Sequence, residues 1–202
     1  MANSALVLAA GDSSRMGRHK ILLPFNGMTL IEHIVNQLTE AGVSEVVVVV
    51  GKGAPSVREA LAETSAVIAE NVHYQNGMLS SVRVGLAALS DESQRVAVCL
   101  GDQPAIRCAL VRALFEQAAA QPGKIIVPVY EGRRGHPLLI PRCHWSSVLE
   151  RYEDLGLRGL LQEHASSVLE WLVDDAWVLD DMDYPEDYAR ELRRLEEESD
   201  PD

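Results

Sequence analysis

The sequence predicts an α/β protein whose mostly parallel sheet is covered by helices on both faces. Three observations carry this. Short, mainly apolar runs recur at residues 5–9, 45–50, 66–69, 95–100 and 124–129, as expected of strands buried on both faces. Helical stretches at 29–41, 55–62, 79–89, 109–119 and 185–197 punctuate them. Strand and helix alternate, which is the pattern of βα units rather than of hairpins.

The elements follow in order. Residues 5–9, ALVLA, are short and apolar enough for a buried strand. The loop that follows is small and polar, with glycines at 11 and 17. Helix 29–41 carries the stripe Leu30, Ile31, Ile34, Leu38 and Ala41. Thr29 with Glu32 fits a capping box, and Gly42 supplies the stop. Helix 79–89 buries Leu79, Val82, Leu86 and Leu89. The last helix opens on Pro185, with Glu186 and Asp187 favoured by its dipole. Residues 130–182 are less regular and are expected to form an insertion over the sheet. No linker or repeat divides the chain, so residues 1–202 are expected to form one domain, with an acidic, frayed tail at 196–202.

Composition narrows the function classes. A net charge of −12 argues against nonspecific binding to nucleic acid or to an anionic membrane. No apolar run reaches the ~18 residues of a membrane span, and no signal peptide is visible. Three scattered cysteines, Cys99, Cys108 and Cys143, fit reduced thiols and a cytoplasmic setting.

Four segments carry candidate chemistry. In an α/β sheet, ligands bind beyond the carboxyl ends of the strands, where the loop 10–20 and the segment after Leu100 both fall. The first, LAAGDSSRMGRHK at 8–20, pairs a glycine-bearing loop with Arg15 and Lys20. Backbone N–H groups in such a loop form a nest for phosphate oxygens. Its spacing matches neither the P-loop nor the dinucleotide fingerprint. The second, LGDQP at 100–104, sets Asp102 at a strand's carboxyl end, where it can meet a hard cation or cap a turn. Later, Asp183 can cap the last helix or supply a second carboxylate, with Asp181 as its alternate.

The third segment, GMLSSVRVGL at 77–86, places Ser80 and Ser81 near a helix start, where they can cap the helix or bind a base or phosphate. Arg83 reads as solvated. The fourth, GRRGHPLLI at 132–140, offers Arg133, Arg134 and His136 to an anionic substrate, with Gly135 permitting close approach. A surface hairpin is the alternative. An apolar strand follows.

Together these segments, in this order, resemble the nucleotidyltransferases of the molybdenum cofactor cytidylyltransferase type, relatives of the guanylyltransferases that make the guanine dinucleotide cofactor. The resemblance spans nearly the whole chain. It implies a Rossmann-like three-layer αβα sandwich of the nucleotide-diphospho-sugar transferase type. It implies nucleotide binding by Leu8, Ala9, Ala10, Gly11, Ser13, Ser14, Arg15, Lys20, Ser80, Ser81 and Gly101. It implies catalytic roles for Lys20, Arg15 and Asp102, and Mg²⁺ held by Asp102 and Asp183. Ala10 in the A-A-G triplet favours CTP over GTP. The implied reaction passes CMP from CTP to the phosphate of a molybdopterin-type cofactor, with Arg133, Arg134, Gly135 and His136 on the acceptor side. Guanylyl transfer, another phosphorylated acceptor, or a cofactor-binding chaperone serving a molybdenum hydroxylase are the alternatives.

Overall fold

In a computed structural model, which describes residues 2–11 and 20–199, strand β1 (Ala2–Ala9) lies in the middle of the main sheet. A two-residue hairpin, β2 (Pro24–Phe25) and β3 (Met28–Thr29), leads into α1 (Leu30–Glu40). The expected capping box is present: Glu32 N donates to Thr29 Oγ1 and Thr29 N to Glu32 Oε2. Such a cap is worth ~1 kcal/mol. Strand β4 (Glu45–Val50), helix α2 (Ala54–Ala60), strand β5 (Val67–Glu70) and helix α3 (Met78–Ala88) complete the first half. Then come β6 (Ser93–Leu100), α4 (Cys108–Ala120) and β7 (Ile125–Tyr130).

The remaining elements correct one expectation. Residues 130–182 do more than lie over the sheet: besides helices on one face they add strands to it. Strands β8 (Arg133–Arg134), β9 (Leu138–Pro141) and β10 (Val168–Leu172) all join it, giving the order β10-β7-β9-β6-β1-β4-β5 with β8 on β7. Strand β9 is the apolar run after His136. It inserts antiparallel between β6 and β7, while β1, β4, β5 and β6 pair in parallel, as do β7 and β10. Four residues are too few to reveal whether a strand runs with its neighbours or against them. Helices α5 (Trp145–Glu150) and α6 (Leu157–Glu163) link β9 to β10, and α7 (Pro185–Ser199) closes the chain.

Alternation along the strands sorts the core into two layers. Ala5, Val7, Val48 and Ala97 face α1, α4 and α7, packing among Leu30, Ile34, Leu38, Leu114 and Leu192. Leu6, Val47, Val49 and Val98 face α3, α5 and α6, packing among Val82, Leu86, Val148 and Leu160. The result is the three-layer αβα sandwich. No helix among the described residues is long and apolar enough to cross a membrane.

Candidate active site

The carboxyl ends of β1 and β6 meet closely. Gly101 N donates to Leu8 O at 3.0 Å, and a methyl at Gly101 would stand 3.0 Å from that same oxygen. Only glycine lets the two strand ends converge without displacing one of them. Ala10 is buried beside them and Gly11 is exposed. Ser13, Ser14 and Arg15 lie outside the described residues. Lys20 opens the 3₁₀ turn Lys20–Leu22, anchored by buried Ile21.

Three predicted residues are brought together here. Lys20 Nζ donates to Asp102 Oδ2 at 2.6 Å, Asp183 Oδ1 at 3.2 Å and Met182 O at 3.2 Å. Met182 is fully buried, and its N–H donates to Asp102 O at 2.9 Å, so the chain after β10 is pinned against the end of β6. That single tie delivers Asp183 from 81 positions away. Burial works against the Lys20 charge, but Asp102 and Asp183 more than offset it and hold the ammonium above its ordinary range.

At Asp183 a neighbour takes the helix end. Asp187 Oδ2 accepts the N–H groups of Tyr184 and Asp183 at 2.9 and 3.1 Å, so Asp187 caps α7 and the Asp183 carboxylate is turned to Lys20. The Tyr184 N–H, with Arg190 and Asp183 N, holds the Asp187 carboxyl below its usual range despite some burial. Asp181 is exposed and, with Asp183 and Arg133, lines a hollow of about 430 Å³. Two carboxylates converging on one positive charge form a hard-oxygen donor set of the kind that suits a divalent cation. Among the described residues no third His, Cys, Asp or Glu joins them.

Ser80 and Ser81 are organised by a residue that sequence reasoning missed. Asn71, only 2% exposed, donates through Nδ2 to Ser80 Oγ (2.8 Å) and Ser81 Oγ (3.0 Å) and accepts His73 N–H at 2.9 Å. Ser80 also donates toward Gly77 O. An asparagine just after a predicted strand was the available signal. Arg83 is not solvated. Its Nε donates to Val148 O at 2.9 Å and its Nη2 to Arg151 O at 2.7 Å and Glu153 at 2.9 Å, tying α3 to the end of α5.

The GRRGHP segment is split by strand alternation. Arg133 borders the hollow beside Asp183, whereas Arg134 pairs with Glu170 at 2.7 Å and borders a larger cleft of about 670 Å³. Met78, Leu138, Leu155 and Leu161 give that cleft apolar walls, with His136 among its polar groups. His136 precedes a cis proline. Its Nδ1 lies 3.1 Å from Val98 O, which can only accept, so Nδ1 carries the proton of the neutral ring. Burial pushes its pKa down, opposed by the Val98 bond and the Asp102 charge. Gly135 serves packing: a methyl there would overlap the Val178 carbonyl, and His136 N donates to that carbonyl at 2.9 Å.

Similar proteins bear on this geometry. Over 180 residues the chain is 32% identical to the nicotine blue oxidoreductase of Paenarthrobacter nicotinovorans, covering 85% of this chain and 84% of that protein. It is 26% identical over 195 residues to the molybdenum cofactor cytidylyltransferase of Escherichia coli, covering 95% and 96%. The bifunctional protein GlmU of Staphylococcus saprophyticus matches at 35% over 118 residues, but the chain spans only about a quarter of its length (26%). Among solved structures, Rv0371c of Mycobacterium tuberculosis superposes with a TM-score of 0.81 at 30% identity, covering 96% of this chain and 99% of that one. A manganese complex of Rv0371c superposes with a TM-score of 0.77 at 29% identity and the same coverage. The profile of the MobA-like NTP transferase domain matches residues 5–168, and the chain belongs to that family.

Proposed function

We propose that this protein is a divalent-metal-dependent cytidylyltransferase, passing CMP from CTP to the terminal phosphate of a molybdopterin-type cofactor in the cytoplasm. The observation that carries the reading is the meeting of Lys20, Asp102 and Asp183 where β1 and β6 end, in a chain of the MobA-like family. Ala10 and the likeness to the Escherichia coli cytidylyltransferase support CTP over GTP.

The acceptor phosphate is already ionised at neutral pH, so no protein nucleophile or general base is required. Its oxygen attacks the α-phosphorus, the bond to the β-phosphate oxygen breaks, and pyrophosphate leaves with the electron pair. The barrier is electrostatic, because two anions must approach. Lys20 stabilises charge growing on the α-phosphate, and Arg15 assists from the loop. Asp102 and Asp183 would hold Mg²⁺, which when bound neutralises phosphate oxygens and orients them. The Ser80–Ser81–Asn71 network supports the base side. The cleft bordered by Arg134, Gly135 and His136 takes the acceptor, while Arg133 faces the neighbouring hollow beside Asp183. Delivery of the product to a molybdenum hydroxylase would follow from the same cleft.

The test is pyrophosphate release from CTP, GTP or ATP, with and without Mg²⁺ and molybdopterin. Release that needs CTP, metal and acceptor together supports the reading. An Asp102→Ala protein should lose at least 100-fold in turnover while keeping its fold, by analogy with removal of one transition-state electrostatic contact. GTP preference would move the assignment to guanylyl transfer. The 32% identity to nicotine blue oxidoreductase favours a second reading, a redox enzyme, which two-electron reduction of an added organic dye by an added hydride donor, with no NTP present, would support.

A further inference from the structure

The Lys20 ammonium occupies the place where a cation shared by Asp102 and Asp183 would sit. Among the described residues it meets Asp102 Oδ2 at 2.6 Å, Asp183 Oδ1 at 3.2 Å and Met182 O at 3.2 Å. Its side chain is 13% exposed, against 24% for Asp102 and 39% for Asp183, so the lysine is the most buried of the three side chains. A divalent cation between the same oxygens would place two further positive charges against an ammonium partly withdrawn from water, where repulsion is poorly screened.

We infer that Lys20 and the divalent cation compete for the Asp102–Asp183 carboxylates, so that the metal binds well only with the nucleotide that draws Lys20 away. This rests on the nucleotidyltransferase reading. Without nucleotide, Lys20 serves as an internal counter-ion that keeps the two carboxylates from repelling each other. When a triphosphate enters, its oxygens offer the ammonium new acceptors, and the vacated carboxylates take the metal. By linkage, metal must then raise nucleotide affinity by the factor with which nucleotide raises metal affinity. Metal and nucleotide therefore add as a coupled pair, and a bare metal ion is a poor first ligand.

The experiment is Mn²⁺ binding, followed by the electron paramagnetic resonance signal of free Mn²⁺, with and without CTP and with no acceptor present. Lys20→Met keeps the length of the side chain and removes its charge. In the absence of CTP it should bind Mn²⁺ about tenfold more tightly than the unaltered protein, within the range usual for coupling between two sites. The gain in affinity on adding CTP should shrink correspondingly. Lys20→Arg retains the charge and should leave CTP-free Mn²⁺ affinity close to that of the unaltered protein. Circular dichroism melts establish that both variants are folded. Unchanged or weaker CTP-free binding in a folded Lys20→Met protein overturns the competition while leaving the nucleotidyltransferase reading in place. No Mn²⁺ binding in any variant, even with CTP, overturns both. Asp102→Asn sharpens the assignment: it should weaken Mn²⁺ binding in the Lys20→Met background, and indifference there would place the metal elsewhere and overturn the inference.

Discussion

The half of the sheet made of β5, β4, β1 and β6 and the half made of β9, β7 and β10 specify themselves in different ways. In the first half each strand is a parallel neighbour of another βα unit, and its side chains need only be apolar on both faces. In the second half an antiparallel strand interrupts the order, and residues are set by partners far away in sequence. Gly135 answers to Val178 and Lys124 to Ser166, and the Val148 and Arg151 carbonyls accept from Arg83 on α3. The first half is written in local periodicity and the second in long-range fit. The same division separates the proposed nucleotide end of the site from the proposed acceptor end.

Three experiments probe that contrast. The largest effect should come from Gly135→Ala, because the new methyl overlaps backbone that cannot move without shifting the 176–180 segment. A loss of about 3 kcal/mol in urea unfolding is expected, the upper range for overpacking. Stability within 0.5 kcal/mol of the parent would break the comparison, since the second half would then tolerate local change as well.

Next is Asn71→Ala at the border of the first half. It removes a buried amide that serves two hydroxyls and a backbone N–H, at a cost of about 2 kcal/mol by the same measurement. Ser80→Ala, which leaves the Asn71–Ser81 bond intact, should cost less. Equal losses would show that the amide is not the organising member of the group.

The smallest effect is on pH. His33 lies in α1 against Phe25, and burial lowers its pKa, with Glu40 and a bond to the Pro104 backbone opposing. The unfolded chain therefore binds more protons near pH 6. Stability is fully present above the unfolded histidine value of ~6.5 and is lost as pH falls through the folded one. The melting temperature should drop on acidification, and His33→Gln should flatten that slope. A slope unchanged by the substitution would assign the acid loss to other groups, with the depressed His136 the next to examine.

The difference also explains what the sequence made legible. The parallel strands, the α1 capping box and the residues Lys20 and Asp102 announce themselves through runs, spacing and position at strand ends. Asp183 could be named but not separated from a helix cap, because the deciding fact is the Asp187 carboxylate four residues on, which takes the capping role. Arg133 and Arg134 read as one basic pair; alternation on β8 sends them to different hollows. The Arg83 anchor leaves no trace in sequence, since its partners are mostly backbone carbonyls that any residue would supply.

The tie between Met182 and Asp102 has a consequence for where this unit can be cut. The family profile ends at residue 168, yet all but the first residue of β10, the Val178 wedge against Gly135 and the Asp183 carboxylate follow it. A fragment trimmed at that boundary would keep the βα frame and lose one of the two carboxylates that face Lys20. It would also strip β7 of its outer neighbour, presenting a row of open amides to any other chain with a free edge. The recognisable part of the molecule and its working part have different ends.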